Sequence, residues 1–249
     1  MYANVNFGPN GAQFDVTTTK RRPLGTALIL QDGRTFRYAE NGGVALAAGR
    51  VAQSEVPTAN WDELAIPTAV TAGTRTFNVT NGATTILADD FADGYMNVED
   101  DAGEGHLYQI QANDAEAAGS AAFSLTLMAG EGVIVAFSTA TTVGLTKHWL
   151  KDVIIHPSPA TATIAGVAPV LMPIDNFGWI QVHGPSSVLH DSTTTTITIA
   201  RTVVDSADVD GAVCGFVASG GALNNKQVIG QAMEVSATAE ESLVFLRLE

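Results

Sequence analysis

What most constrains this chain is its punctuation. Short β-prone runs recur at a spacing of roughly 8–12 residues. They are separated by turn dipeptides such as Asp32-Gly33, Asn41-Gly42, Asn81-Gly82 and Asp93-Gly94. Within a run, apolar and polar residues alternate, as in Arg75-Thr76-Phe77-Asn78-Val79-Thr80. A period of two turns one face of a strand to a core and the other to water. No segment sustains the 3.6-residue period of an amphipathic helix. The predicted class is therefore all-β, built as β-sandwich or barrel domains with an extended N-terminal arm.

Read from the N-terminus, the first twenty residues are rich in Asn, Gly and Thr and form the arm. Leu24-Gly25-Thr26-Ala27-Leu28-Ile29-Leu30 and Thr35-Phe36-Arg37-Tyr38-Ala39 flank Asp32-Gly33 and predict a hairpin. Residues 44–53 read as strand or loop, because Gly49 interrupts them. Residues 54–68, with Pro57 and Pro67, read as a long connection and a domain boundary. Strands are expected at 75–80, 84–87, 95–98, 106–111, 122–127 and 133–137. Residues 138–150 are expected to form a short helical or loop segment. Further strands are expected at 151–156, 177–185, 193–202, 213–218, 227–235 and 242–248. This gives three successive regions: 1–60, an N-terminal arm and hairpin; 61–156, an acidic β domain; and 157–249, a C-terminal β domain.

Charge narrows the function classes. Only 15% of residues are charged and 46% are hydrophobic. That is too apolar for a disordered chain and suits a protein that buries surface against neighbours. The net charge of −14 is unevenly spread: +3 over residues 1–50, −12 over 51–146 and −5 over 147–249. Such a surface repels nucleic acid, so no nucleic-acid partner is expected. Lys20-Arg21-Arg22 is the exception, read as contact to an acidic protein surface with a solvated turn as the alternative. No apolar run approaches the ~18 residues of a membrane helix, and residues 1–13 lack the pattern of a secretory leader. The expectation is a soluble protein made in the cytoplasm, with no membrane partner.

Catalytic signatures are sparse. Cys214 is the sole cysteine and lies in the apolar run Ala212-Val213-Cys214-Gly215-Phe216-Val217, which reads as a buried small hydrophobe. His106, His148, His156, His183 and His190 show none of the spacings of a metal site on one element. The acids Asp89, Asp90 and Asp93, and Glu99, Asp100, Asp101 and Glu104, read as turn residues rather than calcium loops or a glycosidase pair. Trp61, Trp149 and Trp179 are scattered and read as core or interface anchors rather than a sugar platform. No nucleophile elbow, phosphate loop or dinucleotide fingerprint occurs. The expectation is a non-enzymatic chain with no catalytic, cofactor-binding or metal residues and no cofactor.

The residues also resemble a family. Asp32-Gly33-Arg34-Thr35-Phe36-Arg37-Tyr38-Ala39 with Gly42-Gly43-Val44-Ala45-Leu46 is similar to the opening of virion structural proteins of tailed bacteriophages. Gly103-Glu104-Gly105-His106-Leu107-Tyr108-Gln109-Ile110 resembles their middle, and Gly178-Trp179-Ile180-Gln181-Val182-His183-Gly184-Pro185 their C-terminal part. Val228-Ile229-Gly230-Gln231-Ala232-Met233-Glu234 resembles the end of small capsid decoration proteins. The resemblance implies a β-rich decoration or cement protein on the outer face of the shell, homotrimeric, with the major capsid protein as partner. It places Lys20, Arg21 and Arg22 as the capsid contact. The extra length over small decoration proteins implies an added central β domain, and leaves a tail, neck or fibre component contacting host glycans as the alternative.

Overall fold

A computed structural model describes residues 4–119, 121–193, 195–216 and 226–249. These residues are all-β, with two single-turn 3₁₀ segments at Ala12–Phe14 and Ala59–Trp61. In chain order the strands are β1 (Val5–Gly8), β2 (Ala27–Leu30), β3 (Thr35–Glu40) and β4 (Val51–Gln53). There follow β5 (Leu64–Ala65), β6 (Thr76–Thr80), β7 (Tyr95–Asp100), β8 (Leu107–Asn113), β9 (Ala122–Leu127) and β10 (Thr142–Thr146). The last are β11 (Ile154–Ile155), β12 (Ile164–Val167), β13 (Phe177–Leu189), β14 (Thr202–Asp205), β15 (Val213–Gly215), β16 (Val228–Ala232) and β17 (Glu241–Arg247).

The three successive regions expected from sequence give way to two nested units. One comprises residues 1–56 and 149–249, and the other is residues 57–148. The cause is non-local pairing. β3 runs antiparallel to β13, with Tyr38 opposite Trp179, and β4 pairs with β11 and β12. The N-terminal hairpin and the C-terminal strands therefore share one sheet, and the acidic segment is inserted between β4 and β11.

In the first unit the sheet order is β1-β2-β3-β13-β17-β16-β14-β15. Just beyond β13, His190 bridges Val213 of β15, so the path β13-β17-β16-β14-β15 curls back toward its start. Val188, Val203, Val213, Ile229, Val244 and Leu246 form its apolar core. The N-terminal segment is extended, but it lies on this unit instead of projecting. β1 pairs parallel with β2, and Thr17 bridges Phe177. Gly8 faces inward, where a Cβ would sit 2.6 Å from Leu28.

The second unit has the sheet order β5-β10-β7-β8-β9-β6. The alternation read in sequence appears directly in burial: Phe77 and Val79, Met96 and Val98, Phe123, Leu125 and Leu127 all enter one core. Three expectations fail locally. Residues 138–150 contain β10, a strand paired on both sides, not a helix or plain loop. Residues 133–137 are not a strand, because only Val133 and Phe137 are buried, four positions apart. Ile86 makes a single bridge to Glu116, without a strand around it. In the first unit, Thr194 of the expected strand 193–202 lies outside the described residues, and among the rest only Thr202 joins a ladder, although Ile197 is buried. Of the expected strand at 213–218, residues 217 and 218 lie outside the described residues.

Candidate functional site

Lys20, Arg21 and Arg22 stand on an aromatic bed. The Arg21 main-chain N–H donates to Tyr38 Oη at 3.1 Å, and the Arg22 guanidinium lies 5.4 Å from the centre of the Trp179 ring. Tyr38 meets Trp179 edge-on at 5.3 Å and stacks on Phe177 at 6.1 Å. Because β3 and β13 are neighbours, Tyr38 and Trp179 sit opposite each other and fix the segment above them. Arg22 is half-buried, whereas Lys20 and Arg21 are exposed.

The same sheet ends in an apolar edge whose exposed side chains lie on the face opposite Tyr38 and Trp179. Among the described residues β1 has β2 as its one strand neighbour, and Phe7 is 82% exposed with Val5 on the same face. Thr26 links the start of β1 to β3. Its hydroxyl lies 2.7 Å from Pro23 O, to which it donates, and 3.0 Å from the Asn4 side-chain amide, and its main-chain oxygen accepts from the Tyr38 N–H. An uncharged edge strand that shows a phenylalanine is a template for another protein.

Of the acids read as turn residues, Asp89, Asp90, Asp93, Asp101 and Glu104 lie in turns, whereas Glu99 and Asp100 belong to β7. Asp89, Asp93 and Asp101 adopt left-handed φ values of 60°, 66° and 66°. Asp90 is buried, accepts the Leu87 N–H and lies 3.5 Å from Lys147 Nζ. Asp101 accepts the hydroxyls of Ser138 and Thr141, which hold its carboxyl below the usual range. Glu99 is pushed up by partial burial and by the neighbouring Asp62, against hydrogen bonds from Glu63 and Asn97.

Trp61 and Trp179 are buried in separate cores, and Trp149 is half-buried, so the three do not form a platform. A groove of about 700 Å³ in the first unit is lined by Phe14, Arg34, Gln181, Ser186, Ser187 and Glu241, among others. Among the described residues, no group of three or more His, Cys, Asp and Glu is placed to hold a metal ion. None of the described helices is long and apolar enough to cross a membrane.

The spacing of the histidines gave no hint of a buried polar cluster after β13. His190 Nδ1 accepts the Ser236 N–H at 3.2 Å, and Nε2 lies 2.6 Å from Ser192 Oγ. An acceptor Nδ1 leaves the proton of the neutral ring on Nε2, so the ring donates to Ser192 and cannot take its proton. Asp191 turns away, accepting from Ser206 Oγ at 2.6 Å and from the Thr193 N–H at 2.8 Å. The Ser-His-Asp composition thus lacks the geometry of a nucleophilic triad. Cys214 is buried, and its thiol is raised to about 11 mainly by burial.

Comparison with protein-family models, with curated proteins and with solved structures gives no match.

Proposed function

We propose that this chain is a non-enzymatic virion structural protein, a capsid decoration protein that binds the outer face of a phage shell and stabilises it. The observation that carries the reading is the exposed apolar edge strand β1, with Val5 and Phe7 turned to solvent; Lys20 and Arg21, over the Tyr38–Trp179 bed on the other face of the sheet, add an exposed basic patch. An exposed apolar strand edge suits attachment to a surface of an assembled particle, and an exposed basic patch suits an acidic one. The likeness of several segments to tailed-phage virion proteins supports the same reading. A protein that binds the assembled shell but not its dissociated subunits stabilises the shell by mass action.

The test uses shells assembled from the co-encoded major capsid protein. Added chain should co-sediment at saturable occupancy and raise the temperature at which shells open. Shells that neither retain it nor gain heat resistance would refute the reading. The groove beside Phe14 supports a second reading, a tail, neck or fibre component that contacts host glycans. That reading expects glycan-array binding that Phe14→Ala removes.

A further inference from the structure

The geometry points to the groove of the first unit as a binding site for neutral saccharides, with Gln181 as its buried hydrogen-bond acceptor. This rests on the second reading above and adds to it the charge class of the ligand and the residue that anchors it. The groove lies where β13 changes partners. Its ladder with β3 covers Phe177 to His183, and its ladder with β17 covers His183 to Leu189. Gly184, just past the change, has a φ of 89°, and the stem of Arg34 packs on it, 3.1 Å from where a Cβ would lie.

Gln181 borders the groove and is 3% exposed. Its Nε2 donates to His183 O at 3.1 Å and to Pro185 O at 2.8 Å, which uses both amide protons and fixes the carboxamide. Among the described residues no donor meets Oε1. A buried acceptor without a donor is unfavourable, so an occupant that brings a hydroxyl is preferred to a purely apolar one.

The rest of the lining selects among polar ligands. Asp32 accepts the Arg34 Nε at 2.7 Å and its main-chain N–H at 3.1 Å, so this cation is already matched. Glu241 adds a second carboxylate at the rim, its Cγ 3.2 Å from where a Cβ on Gly49 would lie. Two carboxylates against one guanidinium repel an anionic ligand. A peptide strand finds no ladder to join at Pro185, which has no N–H and whose oxygen is taken by Gln181. Phe14, 53% exposed, offers an aromatic face at the same groove. A neutral ligand with several hydroxyls and an apolar ring face answers all of these groups, and about 700 Å³ is an ordinary volume for a small-ligand site.

A glycan microarray that carries neutral oligosaccharides beside sialylated and uronate-bearing ones tests this on the full chain. Wild type should bind neutral glycans and leave the acidic ones unbound. Gln181→Leu, similar in size but without the acceptor, should weaken binding of the strongest neutral glycan about tenfold or more, read by titration calorimetry. Far-UV circular dichroism checks its fold. Asp32→Asn with Glu241→Gln does not touch the buried amide. It frees Arg34 and should let acidic glycans bind, which decides the matter if Gln181→Leu fails to fold. Wild type that binds only acidic glycans overturns this inference and leaves the glycan reading standing. So does neutral binding that Phe14→Ala removes but that Gln181→Leu and the double variant leave unchanged. Wild type that binds no glycan overturns both. Co-sedimentation with shells is a separate measurement, and its result leaves this inference unaffected.

Discussion

Asp191 and His190 are neighbours in the chain whose protonation is set by different partners. Burial alone would raise the Asp191 carboxyl, but the hydrogen bonds from Ser206 and Thr193 outweigh it and hold the group below its ordinary 3.8. Burial lowers His190 below its ordinary 6.5, against the pull of the Asp191 charge. Both depressed values act in one direction. Each contributes stability that is present above the ordinary value and is lost as pH falls through the folded one. The His190 contribution should fade first, below pH 6.5, and the Asp191 contribution below pH 3.8. Asp191→Ala leaves the Ser206 hydroxyl and the Thr193 N–H without an acceptor and should cost about 1–3 kcal/mol at pH 7. The gap from wild type should narrow as pH falls below 3.8 and through the lowered folded value, which urea unfolding at pH 7 and at successively lower pH measures. Cys214, with its thiol near 11, should react with a disulfide reagent at pH 8 only as fast as the fold opens, and rapidly in denaturant. The sequence reading of Cys214 as a buried hydrophobe agrees with its position. The footing of Arg22 was not legible there, because Tyr38 and Trp179 come from strands distant in sequence.

Strands were legible where alternation and a turn coincide, and illegible where a neighbouring element decides. The β2–β3 hairpin follows from its two apolar runs and from Gly33, whose φ of 86° fits the turn. β10 was hidden by Gly144, which reads as a strand breaker. The structure gives the glycine a reason: a Cβ there would lie 2.2 Å from Glu99 Oε1, on side chains that cross the strand from β7. Conversely, residues 195–201 have strand propensity but cross Gly215 without joining a ladder, with Thr196 O 2.2 Å from where its Cβ would be. Two glycines therefore make a comparative prediction. A Cβ at Gly230 in β16 would sit 2.0 Å from the main-chain oxygen of Phe245 in β17, and a paired backbone cannot swing aside. Gly230→Ala should cost about 3 kcal/mol, whereas Gly144→Ala, which meets the movable end of Glu99, should cost about 1 kcal/mol. Thermal unfolding of the two variants decides it, and equal losses would contradict the assignment of rigid and yielding neighbours.

At the scale of the whole chain, local pattern gives strands but not nesting. Turn signals show that segment 61–156 is β-rich and acidic, but nothing local shows that β3 passes over it to reach β13, or that β4 reaches β12. Those pairings close long loops and are set by the shared apolar faces of distant strands. The insertion has a consequence for folding. The second unit brings its own core, including Trp61, Phe77, Phe91, Met96, Tyr108 and Phe123. Its sheet pairs strands of residues 57–148 alone. No strand of the first unit is needed to complete it, so residues 57–148 expressed alone should fold, with a cooperative urea transition and a β-sheet far-UV spectrum. Because twelve carboxylates crowd that fragment against two cations, added salt should raise its unfolding midpoint by screening their repulsion. A non-cooperative fragment would mean that its sheet depends on the flanking residues for stability, despite a core that is complete in composition. A cooperative fragment indifferent to salt would mean that its carboxylates are already balanced by local partners, as Asp90 is by Lys147 and Asp101 by Ser138 and Thr141.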